Sequence, residues 1–206
     1  MYFADENQVI GLIAAKDLPK ATSKIAIDEL KNLGYEVTMV TGDNEKTAEA
    51  IRSDLGIDKK FADVLPQDKD KVVKQLQDMG KKVTMVGDGI NDAPALARSD
   101  IGMAIGNGTD VAIDSADVVL MRNSLLDIVS AIELSKSTIK TIKQNLFWAF
   151  FYNVILIPVA AGLLYPFKGI TLNPVFAAFA MSISSVFVCL NSLRLRAVSY
   201  THLRAH

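Results

Sequence analysis

Short apolar runs alternate with amphipathic stretches over the first part of the chain, and long uncharged segments follow. Val9-Ile10-Gly11-Leu12-Ile13-Ala14-Ala15 is a brief run, rich in β-branched residues and bounded by polar ones, which its length assigns to a strand. Pro19 and Ser23 announce a helix whose Ala26, Leu30 and Leu33 recur at helical spacing until Gly34 stops it. Val37-Thr38-Met39-Val40 is the next strand. It runs into Thr41-Gly42-Asp43-Asn44, whose short polar side chains suit a turn and the cap of a helix carrying Ala48, Ile51 and Leu55. A short run from Phe61 to Leu65 reaches Pro66, and a helix with Val72, Leu76 and Met79 on one side ends at Gly80. Val83-Thr84-Met85-Val86 is a third strand, followed by the acidic, glycine-rich turn Gly87-Asp88-Gly89-Ile90-Asn91-Asp92. Ile101 to Ile105 and Asp117 to Met121 give two more strands, linked through Gly106-Asn107-Gly108-Thr109. Strands alternating with helices predict an α/β fold with a parallel sheet and right-handed crossovers.

The pattern changes at Ser124, which reads as an N-cap. Residues 125–145 form a long helix with Ile128, Ile132, Ser135, Ile139 and Ile142 on one stripe. Lys136, Lys140 and Lys143 precede two charge-free runs, 146–164 and 174–193, each near the roughly 20 residues a helix needs to cross a bilayer. These are expected to be two transmembrane helices, bent in the first case by Pro158. Three lysines before the hairpin and Arg194 and Arg196 after it, against Lys168 in the loop, put both ends on the cytoplasmic side. The expected organisation is an α/β domain over 1–123, a linker helix and membrane hairpin over 124–196, and a dissimilar tail over 197–206.

A net charge of −1 gives no reason to expect nucleic acid, and the single cysteine, Cys189, rules out an internal disulfide and a cysteine-rich zinc site. The first residues lack the basic and apolar regions of a signal peptide.

The chemistry concentrates at the strand ends. Asp88 and Asp92 stand four residues apart across a glycine turn, so their carboxylates can converge, as a magnesium ion beside a phosphate pocket requires. The plainer alternative is a solvated loop whose aspartates cap the helix from Ala93. Lys69, in a helix's first turn, opposes the helix dipole, so it is either solvated or compensated by a ligand anion. The repeated tetrapeptide at 37–40 and 83–86 precedes a Gly-Asp pair both times, which puts two acidic turns at one end of a parallel sheet.

Gly87-Asp88-Gly89-Ile90-Asn91-Asp92-Ala93-Pro94-Ala95-Leu96 resembles the hinge motif of the P-type ATPases, cation pumps whose phosphorylation domain is haloacid-dehalogenase-like. Thr41-Gly42-Asp43-Asn44 and Leu65-Pro66-Gln67-Asp68-Lys69 resemble two further motifs of that domain, in the same order. The resemblance implies a Rossmann-like parallel sheet of the haloacid-dehalogenase type followed by a two-helix transmembrane hairpin. It gives Asp88 to Mg²⁺ with Asp92 in support. Asn91 and Lys69 would contact the phosphoryl group, Thr41 and Gly42 would help bind it, and Asp43 would support the nucleotide-facing hinge, with ATP the substrate of the complete pump. Tyr152-Asn153 and Met181-Ser182-Ile183-Ser184-Ser185 resemble the last two spans of the copper(I)-transporting branch. A thioether suits Cu(I) better than Zn²⁺, and Tyr152, Asn153, Met181 and Ser185 are the expected ion path, with Ser184 beside them and Ag(I) chemically inseparable from Cu(I).

The likeness covers about Val9 to Arg196 but only the C-terminal part of such a pump. The chain contains no Asp-Lys-Thr-Gly segment and no Cys-Pro-Cys membrane motif. It is therefore expected to be a fragment of a multi-pass cell-membrane pump that couples ATP hydrolysis, through an aspartyl-phosphate, to Cu(I) export, inactive without the rest of the pump. Two other readings stand beside it: a membrane-tethered phosphatase using Asp5 or Asp17, and a non-enzymatic membrane partner. His202 and His206, in the tail, could chelate a metal only if helical, and the abrupt change there reads as unrelated sequence.

Overall fold

The computed structural model describes residues 2–5, 8–12, 19–106, 113–161, 165–169, 175 and 182–195. The chain divides into two compact units, Met1–Val129 and Ser130–His206.

The first unit opens with an antiparallel hairpin, β1 (Tyr2–Asp5) and β2 (Gln8–Leu12), with a register irregularity between Phe3 and Ala4. The run from Val9 was expected to join a parallel sheet; within the described residues it pairs with the polar-interrupted segment before it instead. The rest alternates as the apolar pattern predicts: α1 (Ala21–Asn32), β3 (Thr38–Val40), α2 (Glu45–Leu55), β4 (Lys59–Phe61), α3 (Lys69–Asp78), β5 (Thr84–Gly87), α4 (Ala93–Arg98), β6 (Ile101–Ile105) and β7 (Val118–Leu120). Every pairing among β3 to β7 is parallel. The described residues form two such sheets, β3-β4 and β5-β6-β7, rather than a single one.

Helix α1 is buried on two sides. Ala26 packs with Leu126 and Val129, flanked by Leu30, Leu33 and Leu125, while Ile27 packs with Leu55 and Ile57, flanked by Val37, Met39 and Ile51. Helix α4 lies hard against β6: a Cβ on Gly102 would sit 2.8 Å from the Leu96 carbonyl oxygen, so only glycine allows that approach. Leu96, Ala95, Met103 and Ala104 are correspondingly buried.

One device recurs at the starts of all three parallel pairs, and the apolar pattern does not reveal it. Asp58, Asp100 and Asp117 each precede a strand. Their carboxylates accept from the amides of Val37 (2.9 Å) and Val83 (3.0 Å), each just before the neighbouring strand, and of Gly102 (2.8 Å) within it. Their own amides donate back to the carbonyls of the same three residues at 3.1, 2.9 and 2.9 Å. A side chain thus replaces the acceptor that the ladder lacks where it begins. Lys31 beside Asp58 and Lys82 beside Asp100 come first, and the strand amides next, in holding both carboxyls below the usual aspartate range. Arg52 and Lys60 likewise lower Glu49 to about 2.

Carboxyls depressed by folding stabilise the fold above their unfolded pKa, roughly 4, and lose that contribution as pH falls through the folded value. Urea unfolding of the 206-residue chain should therefore weaken steadily below about pH 4. Asp100→Asn, which keeps an oxygen acceptor but removes the ionised partner of Lys82, should flatten that slope. An unchanged slope would show that these pairs contribute nothing.

In the second unit, α5 (Leu126–Ala160) continues from its start against the first core, where the Ser124 hydroxyl accepts from the Leu126 amide at 3.3 Å, as the expected cap. A short α6 (Tyr165–Lys168) follows, and residues 182–195 form α7. Phe147, Trp148, Phe151 and Tyr152 make a ring cluster on α5. Among the described residues no helix is long and apolar enough to cross a membrane. The uncharged end of α5, 146–160, covers roughly 22 Å of a hydrocarbon layer about 30 Å thick. The expected spans run on into 162–164 and through 174 and 176–181, which lie outside the described residues.

Candidate active site

The loops leaving β3 and β5 carry the acidic turns. After β5, the Asp92 amide donates to the Gly89 carbonyl at 3.0 Å and closes a single helical turn, Ile90–Asp92, ahead of α4. That turn folds the Asp92 side chain back over the strand end. It is 7 % exposed, the one buried charged residue among those described. Its Oδ2 accepts from the Asp88 amide at 3.3 Å, and its Oδ1 accepts from Lys69 Nζ at 2.6 Å. Neither oxygen caps α4, so the capping alternative fails for Asp92.

Lys69 reaches this point because Leu65-Pro66-Gln67-Asp68 turns tightly before α3, with the Asp68 amide on the Leu65 carbonyl at 2.9 Å. Its side chain is only 20 % exposed, so Asp92, rather than solvent, compensates the cation at the helix start. The pair sits against the backbone of Gly87: a Cβ there would lie 2.6 Å from the Asp92 Cβ and 2.7 Å from its Oδ2. Gly87 is the space Asp92 occupies.

Asp88 is exposed, and among the described residues its carboxylate makes no hydrogen bond or ion pair. No described group of three or more His, Cys, Asp or Glu side chains could hold a metal. A site of one free carboxylate with a second carboxylate behind it fits Mg²⁺, which keeps several waters and takes the rest of its shell from substrate phosphate. Asn91 is exposed in the same turn.

The turn after β3 is built separately. The Thr41 hydroxyl donates to Asp43 Oδ2 at 2.8 Å and accepts from the Asp43 amide at 3.1 Å, while Asn44 caps α2 through the Thr47 amide at 3.0 Å. The segment after β4 braces it: the amides of Asp63 and Val64 donate to the carbonyls of Asp43 (2.9 Å) and Thr41 (3.0 Å). Asp63 takes a left-handed φ of 52° to do so, which a non-glycine residue rarely adopts. Sequence reasoning passed over Asp63 and Val64, and the pattern Phe61-Ala62-Asp63-Val64 offered no signal beyond an aspartate's tolerance of that conformation. No hydrogen bond or ion pair joins this turn to the Lys69–Asp92–Asp88 group among the described residues.

Of the expected ion path, Tyr152 is half-buried on α5 with ring contacts to Trp148 and Phe151. Asn153 and Ser185 are exposed, and Ser184 is half-buried on α7. Met181 lies outside the described residues, as do Asp17, His202 and His206. Cys189 is exposed and forms no disulfide.

Residues 2–100 match the family model of haloacid dehalogenase-like hydrolases. The chain is 56 % identical over 199 residues to a copper-transporting ATPase 2 of Rhizobium meliloti (strain 1021), across 97 % of this chain and 24 % of that protein. It is 51 % identical over 198 residues to a silver exporting P-type ATPase of Salmonella typhimurium, across 96 % of this chain and 24 % of the relative. The crystal structure of a zinc-transporting PIB-type ATPase in the E2.Pi state superposes with a TM-score of 0.79 at 38 % identity, over 92 % of this chain and 30 % of that one. The chain thus spans about a quarter of the length of these two curated relatives.

Proposed function

We propose that this chain is the magnesium-binding half of the phosphorylation domain, with the last two membrane helices, of a P-type ATPase that exports Cu(I) or Ag(I). The observation that carries the reading is Lys69 locked at 2.6 Å onto a buried Asp92, beside an unpaired Asp88, in a chain 56 % identical to a copper-transporting ATPase.

Each residue then has work to do. Asp88 would hold Mg²⁺ through its free carboxylate, and the ion would supply Lewis-acid neutralisation of phosphate charge when bound. Asp92 holds Lys69 in place and orients the Asp88 backbone. Lys69 presents its ammonium to the phosphoryl oxygens, which the loose transition state of phosphoryl transfer rewards. Asn91 and the Gly42 amide supply neutral donors, and Thr41 adds its hydroxyl once Asp43 yields it. The aspartate that receives the phosphoryl group belongs to the rest of the pump, because no Asp-Lys-Thr-Gly segment is encoded here. The fragment alone is accordingly inactive.

Residues 146–164 and 174–193 cross the membrane, with the α/β unit on the cytoplasmic side, where Lys136, Lys140, Lys143 and Arg194 also lie. The fold is shared with a zinc-transporting pump, so metal choice rests on the membrane residues. Met181 supplies a soft thioether to a path with Tyr152, Asn153 and Ser185, which favours a monovalent soft ion over Zn²⁺.

In the complete pump, Met181→Ala should raise the Cu(I) concentration giving half-maximal ATP hydrolysis about tenfold, the loss of one soft ligand, with phosphorylation from inorganic phosphate retained. An unchanged Cu(I) dependence would remove Met181 from the path, and stimulation by Zn²⁺ in place of Cu(I) or Ag(I) would overturn the substrate assignment.

A further inference from the structure

We infer that Gln144, Asn145, Asn191 and Ser192 form an amide clamp that sets the register of the two helices carrying the ion path, an inference that rests on the reading of the second unit given above. Asn145 on α5 donates from Nδ2 to the Ser192 hydroxyl at 3.0 Å and accepts at Oδ1 from Asn191 Nδ2 at 2.8 Å. The same Asn191 amide also reaches Gln144 Oε1 at 3.4 Å. Further along, Trp148 and Phe187 meet edge to face with centroids 5.7 Å apart. Moving three residues up α5 moves the contact four or five residues down α7, so the helices run antiparallel with a defined pairing.

The pairing reaches the expected ion path. Tyr152 lies seven residues beyond Asn145, and Ser184 and Ser185 lie seven before Asn191 and Ser192, so each shares the clamp's face of its own helix. Two turns past the clamp, Tyr152 stands level with Ser184 and Ser185. None of the four clamp residues was singled out from the sequence, where they read as the polar edges of two apolar runs.

Polar atoms suit this task better than apolar ones. Aliphatic and aromatic contacts are non-directional and tolerate a slide of one helical turn, about 5.4 Å. Paired amides lose their partners on any such slide, which is how a single polar residue fixes register in a coiled coil. Where lipid surrounds the helices, an unpaired amide has no water to turn to. The clamp therefore positions Tyr152 against the α7 serines without itself touching the ion.

Thiol cross-linking of the 206-residue chain in membrane vesicles tests the pairing directly. In a Cys189→Ser background, Tyr152→Cys with Ser184→Cys should cross-link with a short bifunctional reagent, and Tyr152→Cys with Val188→Cys should not. Adding Asn145→Leu and Asn191→Leu should spread the reaction over both pairs. In the complete pump, Ser192→Val should raise the half-saturating Cu(I) concentration about three- to tenfold, the worth of one interhelical hydrogen bond, with the maximal rate kept. Ser192→Thr, which has the shape of the valine variant but retains the hydroxyl, should leave it at the wild-type value. Equal cross-linking of both pairs with the clamp intact, or identical Cu(I) dependence in Ser192→Val and Ser192→Thr, would overturn the inference. Cross-linking needs no transport, so a pump that fails to respond to Cu(I) would refute the proposed function while the register is judged on the thiol pairs alone.

Discussion

Replacing Gly87 by alanine will open the Lys69–Asp92 pair and, on the proposed function, remove most of the complete pump's turnover. The new Cβ would fall 2.6, 2.7 and 2.8 Å from the Cβ, Oδ2 and Cγ of Asp92, closer than carbon atoms tolerate. Asp92 cannot swing outward cheaply: it is 7 % exposed, and moving it strips Lys69 of its counterion and the Asp88 amide of its acceptor. Overpacking of this kind typically costs about 1–3 kcal/mol, and displacing a catalytic group by about 1 Å costs on the order of 10²-fold in rate. Gly89 is the internal comparison, because a Cβ there would meet nothing nearer than the Asn91 amide nitrogen at 3.9 Å. Gly89→Ala should therefore leave the unfolding midpoint within about 0.5 kcal/mol of the original, while Gly87→Ala lowers both the midpoint and the rate of phosphoenzyme formation. Equal behaviour of the two variants would mean that Asp92 is not held by the space Gly87 leaves.

The α/β alternation was legible because β3, β5, β6 and β7 are short, apolar and punctuated by turn residues, so period and length agreed. What the pattern could not give was pairing. β2 carries the same kind of apolar run as β5, yet it pairs antiparallel with Tyr2–Asp5, a choice made by a partner strand and invisible in the run itself. The three aspartates that begin the parallel pairs were equally hidden, since Asp58, Asp100 and Asp117 look like surface charges until the neighbouring strand is placed.

The candidate site divides in the same way. Gly87 to Asp92, Thr41 to Asp43 and Lys69 could be picked out as residues, but their connections could not. Sequence spacing left Lys69 between solvent and a ligand anion, and the fold adds a third partner, a carboxylate 23 positions away at 2.6 Å. It likewise separates two aspartates that read as a pair: Asp92 is buried and engaged, and Asp88 is exposed and open. The bracing of Thr41–Asp43 by Asp63 and Val64 depends on backbone amides, which carry no sequence signature.

That division of labour yields the second large effect. In the complete pump, Asp88→Asn removes the one site carboxylate free to take a hard cation while leaving the Asp88 backbone amide on Asp92 and the Lys69 pair undisturbed. The fold should survive, since the residue is exposed and its carboxylate makes no hydrogen bond or ion pair among the described residues. The most direct measurement is acid-stable phosphoenzyme formed from ATP in the presence of Cu(I), titrated with Mg²⁺. The wild-type pump should accumulate it with Mg²⁺, and Asp88→Asn should form it roughly 10²-fold more slowly at any Mg²⁺ concentration. Asp88→Asn phosphoenzyme appearing at the wild-type rate and with the wild-type Mg²⁺ dependence would contradict the assignment of this turn as the magnesium-binding half of the phosphorylation site.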